Sequence, residues 1–188
     1  ALKDTGEVVT WGSALSGGTS SAVADRLAAG VKSITGNGMA FAALKDTGEV
    51  VTWGAAGHGG GGTSSAVGLR LAAGVASITA NEGAFAALKD TGEVVTWGFD
   101  FAGGDSSAVA NRLVVGVTSI TGTKLAFAAL KDAGEVVTWG RPHEGGDSRA
   151  VAACLAAGVT SIIGHGKAFE ALKDTGEVVI WGDREMAG

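Results

Sequence analysis

Three histidines, one cysteine and two sets of regularly spaced charges are the residues of this chain whose types could do chemistry. His58, His143 and His165 stand at different places relative to the tryptophans, so three loops would have to converge to make a metal site, and none is expected. Cys154 has no base assignable to it and reads as a small packing residue; alone, it allows neither an internal disulfide nor a multi-cysteine cluster. Arg26, Arg70 and Arg112 recur 44 and 42 residues apart, with Cys154 in the fourth place. Lined up, their guanidinium forks could grip a carboxylate or phosphate; the plainer reading is a solvated row paired with nearby acids. Lys45, Asp46 and Glu49 also recur, but their spacing lacks the dense oxygen ligands of a calcium loop, and a turn aspartate commonly serves the backbone. There is no Ser-His-Asp order and no G-x-x-x-x-G-K-S/T, and the glycine-rich stretch at 57–62 does not follow a strand and open a helix. The expectation is a chain that is not an enzyme and holds no cofactor.

The elements that carry these residues follow from an internal repeat. ALKDTGEVVTWG begins at Ala1 and returns at Ala43, Ala87, Ala129 and Ala171, the last two copies with one substitution each. Trp11, Trp53, Trp97, Trp139 and Trp181 are separated by 42, 44, 42 and 42 residues, and the two extra residues fall after Gly54. Insertions fall in loops. Hairpin units are expected at 1–12, 40–54, 84–98, 126–140 and 168–182, with connector units at 19–36, 63–80, 105–122 and 147–164, all within one repeat domain spanning 1–188, a fragment or trimmed piece of a longer array.

Within a hairpin unit, Asp46-Thr47-Gly48 is the turn, and β-branched Val50, Val51 and Thr52 with Trp53 suit a pleated, half-buried strand. Val31–Thr35 reads as a third short strand. Ser20–Ala29 reads as a short helix, with Thr19, Asp105 and Asp147 as N-caps in their copies and Gly30 as its stop, although its small alanines suit a tight turn of helix or an irregular connector equally. Alanine on the strand faces lets layers approach closely, so one Phe and one Trp per period make most of the core: Phe41, Phe85, Phe127 and Phe169 with the five tryptophans. A unit this small cannot bury its own apolar face, so copies must stack. The expected fold is mainly β and propeller-like, with four to five blade units and a short helical connector per repeat; an open α/β solenoid is the alternative.

Composition limits the partners. The chain has 188 residues, 46% apolar and 18% charged, with one proline and 33 glycines, which excludes disorder and leaves the glycines as punctuation. A net charge of −5 offers no basic field for nucleic acid and would be repelled by an anionic membrane. The apolar runs are far shorter than the 18 or so residues that span a bilayer, and no leader pattern opens the chain, so it reads as soluble.

The segment ALKDTGEVVTWG, preceded by GVKSITGNG, resembles the repeat of the regulator of chromosome condensation family, with its A-L-x-x-D/x-G-x-V-x-x-W-G signature. The resemblance covers almost the whole chain and implies a blade-like fold and an interaction role. That family's ring has seven blades, more than this chain supplies. The sequence departs where the family usually has histidine before A-L, at Ala40, Phe41 and Ala42, and its N-x-x-G-Q-L-G stretch is replaced by GGTSSAV or GGDSSAV. Nothing matches the segments that engage the founding member's small GTPase or nucleosomal DNA, so no activity carries over.

Positions constant between copies are framework, and those that vary are free to carry specificity. Two loop sets vary: the one after W-G (SALSGG, AAGHGGGG, FDFAGG, RPHEGG, DREMAG) and the one before the hairpin (GNGM, ANEG, GTKL, GHGK). Phe99, Asp100, Phe101, Arg141, His143 and Glu144 are the candidate partner contacts, with Arg26, Arg70 and Arg112 as the second set, because aromatics and arginine dominate interface energetics. The plainer reading is drift in solvent-facing loops. The expected function is a protein-interaction or structural repeat module, with a protein partner or neighbouring subunit. The alternatives are a lectin-like module that takes carbohydrate between blades, and, by the resemblance, a nucleotide-exchange regulator of a small GTPase.

Overall fold

The computed structural model describes residues 1–60 and 65–183. The start of the second connector at 63–64, the glycines at 61–62 and all but the first residue of DREMAG lie outside the described residues.

Each repeat folds as a three-stranded antiparallel sheet in chain order. The first is β1 (Val31–Gly36), β2 (Ala40–Lys45) and β3 (Val50–Gly54); the second is β4 (Val75–Ala80), β5 (Ala84–Lys89) and β6 (Val94–Gly98). The third is β7 (Val117–Gly122), β8 (Ala126–Lys131) and β9 (Val136–Gly140), and the fourth is β10 (Val159–His165), β11 (Ala168–Lys173) and β12 (Val178–Gly182). Register puts the Phe of each middle strand opposite the Trp of the third, Phe41 with Trp53 and Phe127 with Trp139 among them. Four such ring pairs stack at 5.2 to 5.4 Å.

Alternation along the strands then decides how sheets stack. Ala84, Ala86, Leu88 and Val94 leave one face of the second sheet and pack on Phe127, Ala129, Val137 and Trp139 of the third. The same surfaces meet between the first and second sheets and between the third and fourth. Alanine on one side lets the rings of the other side approach the backbone. First strands of successive sheets lie side by side: Thr79 Oγ1 donates to the Ile120 carbonyl at 3.2 Å, and Thr121 Oγ1 to that of Ile162 at 3.3 Å. This is the stacking of a propeller-like array, and β1 and β10 at its two ends do not pair.

The turns weld one repeat to the next. Gly92 has φ +77°, and a Cβ there would stand 2.7 Å from the Gly116 nitrogen, so both conformation and clearance require glycine. Its carbonyl accepts from Val117 N at 3.2 Å as the next strand begins. The connectors are shorter and tighter than a helix of ten residues: α1 (Ala24–Leu27) and α2 (Ser65–Gly68) are single turns, and Ser107–Arg112 and Arg149–Val151 are 3-10. Asp105 and Asp147 accept the amides of Ser107 and Arg149, two residues on, which makes turns rather than α-helical caps. Each connector inserts one buried leucine, at Leu27, Leu71, Leu113 and Leu155. The leucine carbonyls accept Val8, Val50, Val94 and Val136 N at 2.9 Å, satisfying edge amides that a strand would otherwise bury unpaired. With connectors this short, the structure does not take the α/β solenoid form.

The first unit, 1–12, is not a sheet. Leu2 and Val8 make one isolated bridge, because the unit contains no counterpart of β1 or of Ala40–Ala42 to pair with. Trp11 is consequently 70% exposed, against 4 to 6% for Trp53, Trp97, Trp139 and Trp181. The expectation of a core Trp11 is therefore corrected: the ring lacks its Phe partner and the strand that would cover it.

Candidate functional site: the rim of variable loops

The turn between the first and second strands of a sheet and the loop after its third strand meet on one rim. Short polar side chains fasten them. Asn37 Nδ2 donates to the His58 carbonyl at 2.8 Å while its Oδ1 accepts Met39 N and Ala40 N; Asn81 does the same with Ala102, Gly83 and Ala84. Thr123 takes the place of asparagine in the third repeat, its Oγ1 donating to the Glu144 carbonyl at 2.8 Å. Sequence reasoning did not single out these three residues, although a recurring short polar residue at one offset, able to bond the backbone beyond it, was the signal. Neighbouring repeats are tied as well, by Glu82 N to the Lys124 carbonyl and Lys124 N to the Gly166 carbonyl. The two variable loop sets thus form one continuous surface on a fastened frame.

The candidate contacts separate on this rim. Phe99 is half-buried: it joins the core between the second and third sheets and meets the His58 ring edge-on at 4.4 Å. Phe101 stacks on Phe99 at 5.2 Å and is 55% exposed. Asp100, Arg141 and His143 are exposed. Glu144 is 4% exposed, which removes it as a surface contact. It is the last residue of the 3-10 turn Pro142–Glu144, at the offset that Ala102 fills inside the previous loop, so its side chain turns in.

The arginine row lies elsewhere, beside the hairpin turns, and it is occupied. Arg26 Nε and Nη2 donate to Glu49 Oε1 at 3.1 and 2.6 Å, and Nη2 reaches the Val50 carbonyl. Arg70 with Glu93 and Arg112 with Glu135 repeat this arrangement. The hydrogen bond from Arg112 lowers the pKa of Glu135 against the cost of burial. In the fourth repeat Cys154 fills the arginine place and packs partly buried against the core between the third and fourth sheets. Each of these three guanidinium groups is thus held by a glutamate beside a hairpin turn. No group of three or more metal-ligating side chains converges among the described residues.

Comparison with solved structures places this geometry. Prp20p of Saccharomyces cerevisiae, the yeast RCC1, matches with a TM-score of 0.59 at 19% identity over 81% of this chain and 44% of that one. The fold is propeller-like, similar to that of RCC1. The ectodomain of the Physcomitrella patens receptor kinase CR4 matches with a TM-score of 0.55 at 22% identity, over 83% of this chain and 42% of that one. This chain spans less than half the length of these structures, and at such identity the likeness is one of fold. No family model and no curated protein matches the chain. No helix among the described residues is long and apolar enough to cross a membrane.

Proposed function

We propose that this chain is a non-enzymatic interaction module that offers the rim of variable loops to a protein partner. The observation that carries the reading is the rim itself: in three repeats Asn37, Asn81 or Thr123 of the loop before the hairpin bonds a backbone carbonyl of the loop after W-G, so the side chains of that second loop can vary without breaking the tie. Phe101 is the anchor, a rigid aromatic held by its stack on Phe99, with Arg141 and His143 presented by the next loop. Proteins with this fold support the reading. Yeast RCC1 is known bound to Kap60, and Prp20p has binding properties toward Gsp1p and histones. The repeat domain of this chain would use its constant framework as scaffold and its loops for choice of partner.

Carbohydrate recognition is the weaker reading. Sugar rings stack on open aromatic faces. The tryptophans of the four sheets are 4 to 6% exposed, and the exposed Trp11 opens on a cavity of about 410 Å³ with Phe41 and Trp53 on its wall. Nucleotide exchange on a small GTPase rests on the resemblance and not on any group of this rim.

The test is native mass spectrometry of the protein taken gently from its cells, wild type against the Phe101→Ala/Arg141→Ala double variant. A stoichiometric protein partner that is lost from the variant supports the rim. A partner retained in full by the variant, or binding to an immobilised glycan array in its place, overturns it.

A further inference from the structure

The connector at 147–164 packs along the edge of β9. The Leu155 carbonyl accepts Val136 N at 2.9 Å, and Thr138 Oγ1 donates to Ser148 Oγ at 2.9 Å. Arg112, from the connector at 105–122, reaches the same edge, with its Nη2 on the Val136 carbonyl at 3.3 Å. Between the two connectors lies a cavity of about 220 Å³. Arg112 and Glu135 line it from the earlier connector and the turn between β8 and β9; Arg149, Ala152, Leu155 and Ala156 line it from the later one. Arg149 departs from the repeat, standing where the other connectors have Ser21, Ser65 and Ser107. Ala156 is smaller than Val114, its counterpart in the connector before.

Both guanidinium groups are already oriented. Arg112 commits Nε and Nη2 to Glu135 and the Val136 carbonyl, and Arg149 commits Nε and Nη2 to Asp147 at 2.6 to 3.0 Å. A guanidinium carries five N–H donors in one plane, and the Nη1 donors of both residues make no hydrogen bond among the described residues. A carboxylate that fixes each fork reduces the freedom lost when the remaining donors bind. Charge then sets what they bind. Lys131 lies 3.7 Å from Glu135, so three cations, Lys131, Arg112 and Arg149, stand with two carboxylates, Glu135 and Asp147. One negative charge completes the balance, and a dianion exceeds it. Ala152, Leu155 and Ala156 add apolar surface, and the volume is below the roughly 300 Å³ at which pockets for drug-sized ligands begin.

We propose that the gap between these two connectors binds a small aliphatic monocarboxylate, its carboxylate on the Nη1 donors of Arg112 and Arg149 and its tail on Ala152, Leu155 and Ala156. The site lies beside a hairpin turn, away from the rim, and does not rest on the proposed function. It is tested by titrating the isotope-labelled full chain with butyrate and following the arginine Nε–Hε and leucine methyl signals by NMR, with sodium chloride at matched ionic strength as the control. Saturable shifts are expected at Arg112, Arg149 and Leu155, with a dissociation constant on the order of 1 mM. Acetate, which has two fewer methylenes to bury, should bind about tenfold more weakly. Arg149→Ser and Ala156→Val install residues that other connectors carry, and an unchanged amide spectrum away from the gap checks that the fold is kept. Each is expected to weaken butyrate binding at least about tenfold, the first by removing a charged donor and the second by filling the cavity. Four results overturn the proposal: no saturation up to about a hundred times that constant, the same shifts with chloride, saturable shifts that either variant leaves unchanged, or inorganic phosphate bound more tightly than butyrate.

Discussion

Trp11 and Trp139 occupy the same place in the same twelve-residue motif, and one substitution in each separates the effect of the motif from the effect of its neighbours. The Trp139 ring stacks on Phe127 at 5.4 Å, its Nε1 donates to the Gly103 carbonyl at 3.1 Å, and it is 5% exposed. Trp139→Ala removes a buried aromatic, a change that costs about 3 to 5 kcal/mol, and leaves the Gly103 carbonyl without its donor, for roughly 1 kcal/mol more. The expected loss is about 4 to 6 kcal/mol, a large part of the stability of a domain this size. Trp11, 70% exposed and without a Phe partner, keeps little contact to lose, and Trp11→Ala is expected to cost under about 1 kcal/mol. Urea unfolding followed by far-ultraviolet circular dichroism, with tryptophan fluorescence as a second probe, gives both values on one scale. The reasoning fails if the two variants lie within about 1 kcal/mol of each other. In that case stability would follow the motif rather than the sheet stacked against it.

Gly92→Ala is expected to destabilise by more than about 1 kcal/mol in the same assay, since a side chain there meets both a positive φ and the Gly116 backbone; a neutral result would mean the turn does not dock on the next repeat. Arg112→Ala should cost under about 1 kcal/mol and lose even that in high salt, because the pair with Glu135 is half-exposed; a loss of 2 kcal/mol or more would give the arginine row a larger role. Asp147 is held at about 2 by its hydrogen bonds from the Arg149 side chain and amide. A carboxylate depressed in this way favours the folded state above its ordinary value near 3.8, and the gain is lost as pH falls through about 2. Arg149→Ala should move the Asp147 titration, read by carboxyl NMR, up toward that ordinary value; a midpoint still near 2 would assign the depression to the backbone amide alone.

The sheets were legible because hydrophobic period, turn chemistry and recurrence agreed in every copy. Asp-Thr-Gly between two apolar runs specified the hairpins, and a Phe and a Trp at one fixed separation specified a cross-strand pair, which the structure stacks. The connectors were less legible: ten residues with leucine four positions after valine suggest one helix, yet in the first the chain must reach Val31 N, which is bonded to the Gly6 carbonyl, and it does so through a 3-10 turn followed by a single α-helical turn. The pairing of Arg26 with Glu49, Arg70 with Glu93 and Arg112 with Glu135 was available as a constant offset of 23 residues. It was obscured because the fourth copy keeps Glu177 while replacing its arginine with Cys154. On the rim, only the structure could distinguish outward Phe101 from inward Glu144, since both sit in three-residue 3-10 turns whose facing depends on the loop packed beneath.

Repetition therefore informs differently in the middle of the array and at its ends. Between two neighbours, a residue kept from copy to copy meets the same surface each time, so identity of sequence implies identity of burial, as for Trp53, Trp97 and Trp139. At an end one neighbour is missing, and the kept residue loses its meaning: Trp11 retains the motif and stands in solvent. Stability in a stacked array is approximately a sum of unit terms and nearest-neighbour interface terms, so an unstacked unit forgoes the interface term of one face only. On one face of the fourth sheet Glu170 and Ile180 depart from the repeat together, while Phe169, Ala171, Val179 and Trp181, on the opposite face of the same two strands, keep the pattern and stay buried. Two faces of one hairpin thus differ: the one packed on the third sheet keeps the residues of the repeat, and the other departs from them.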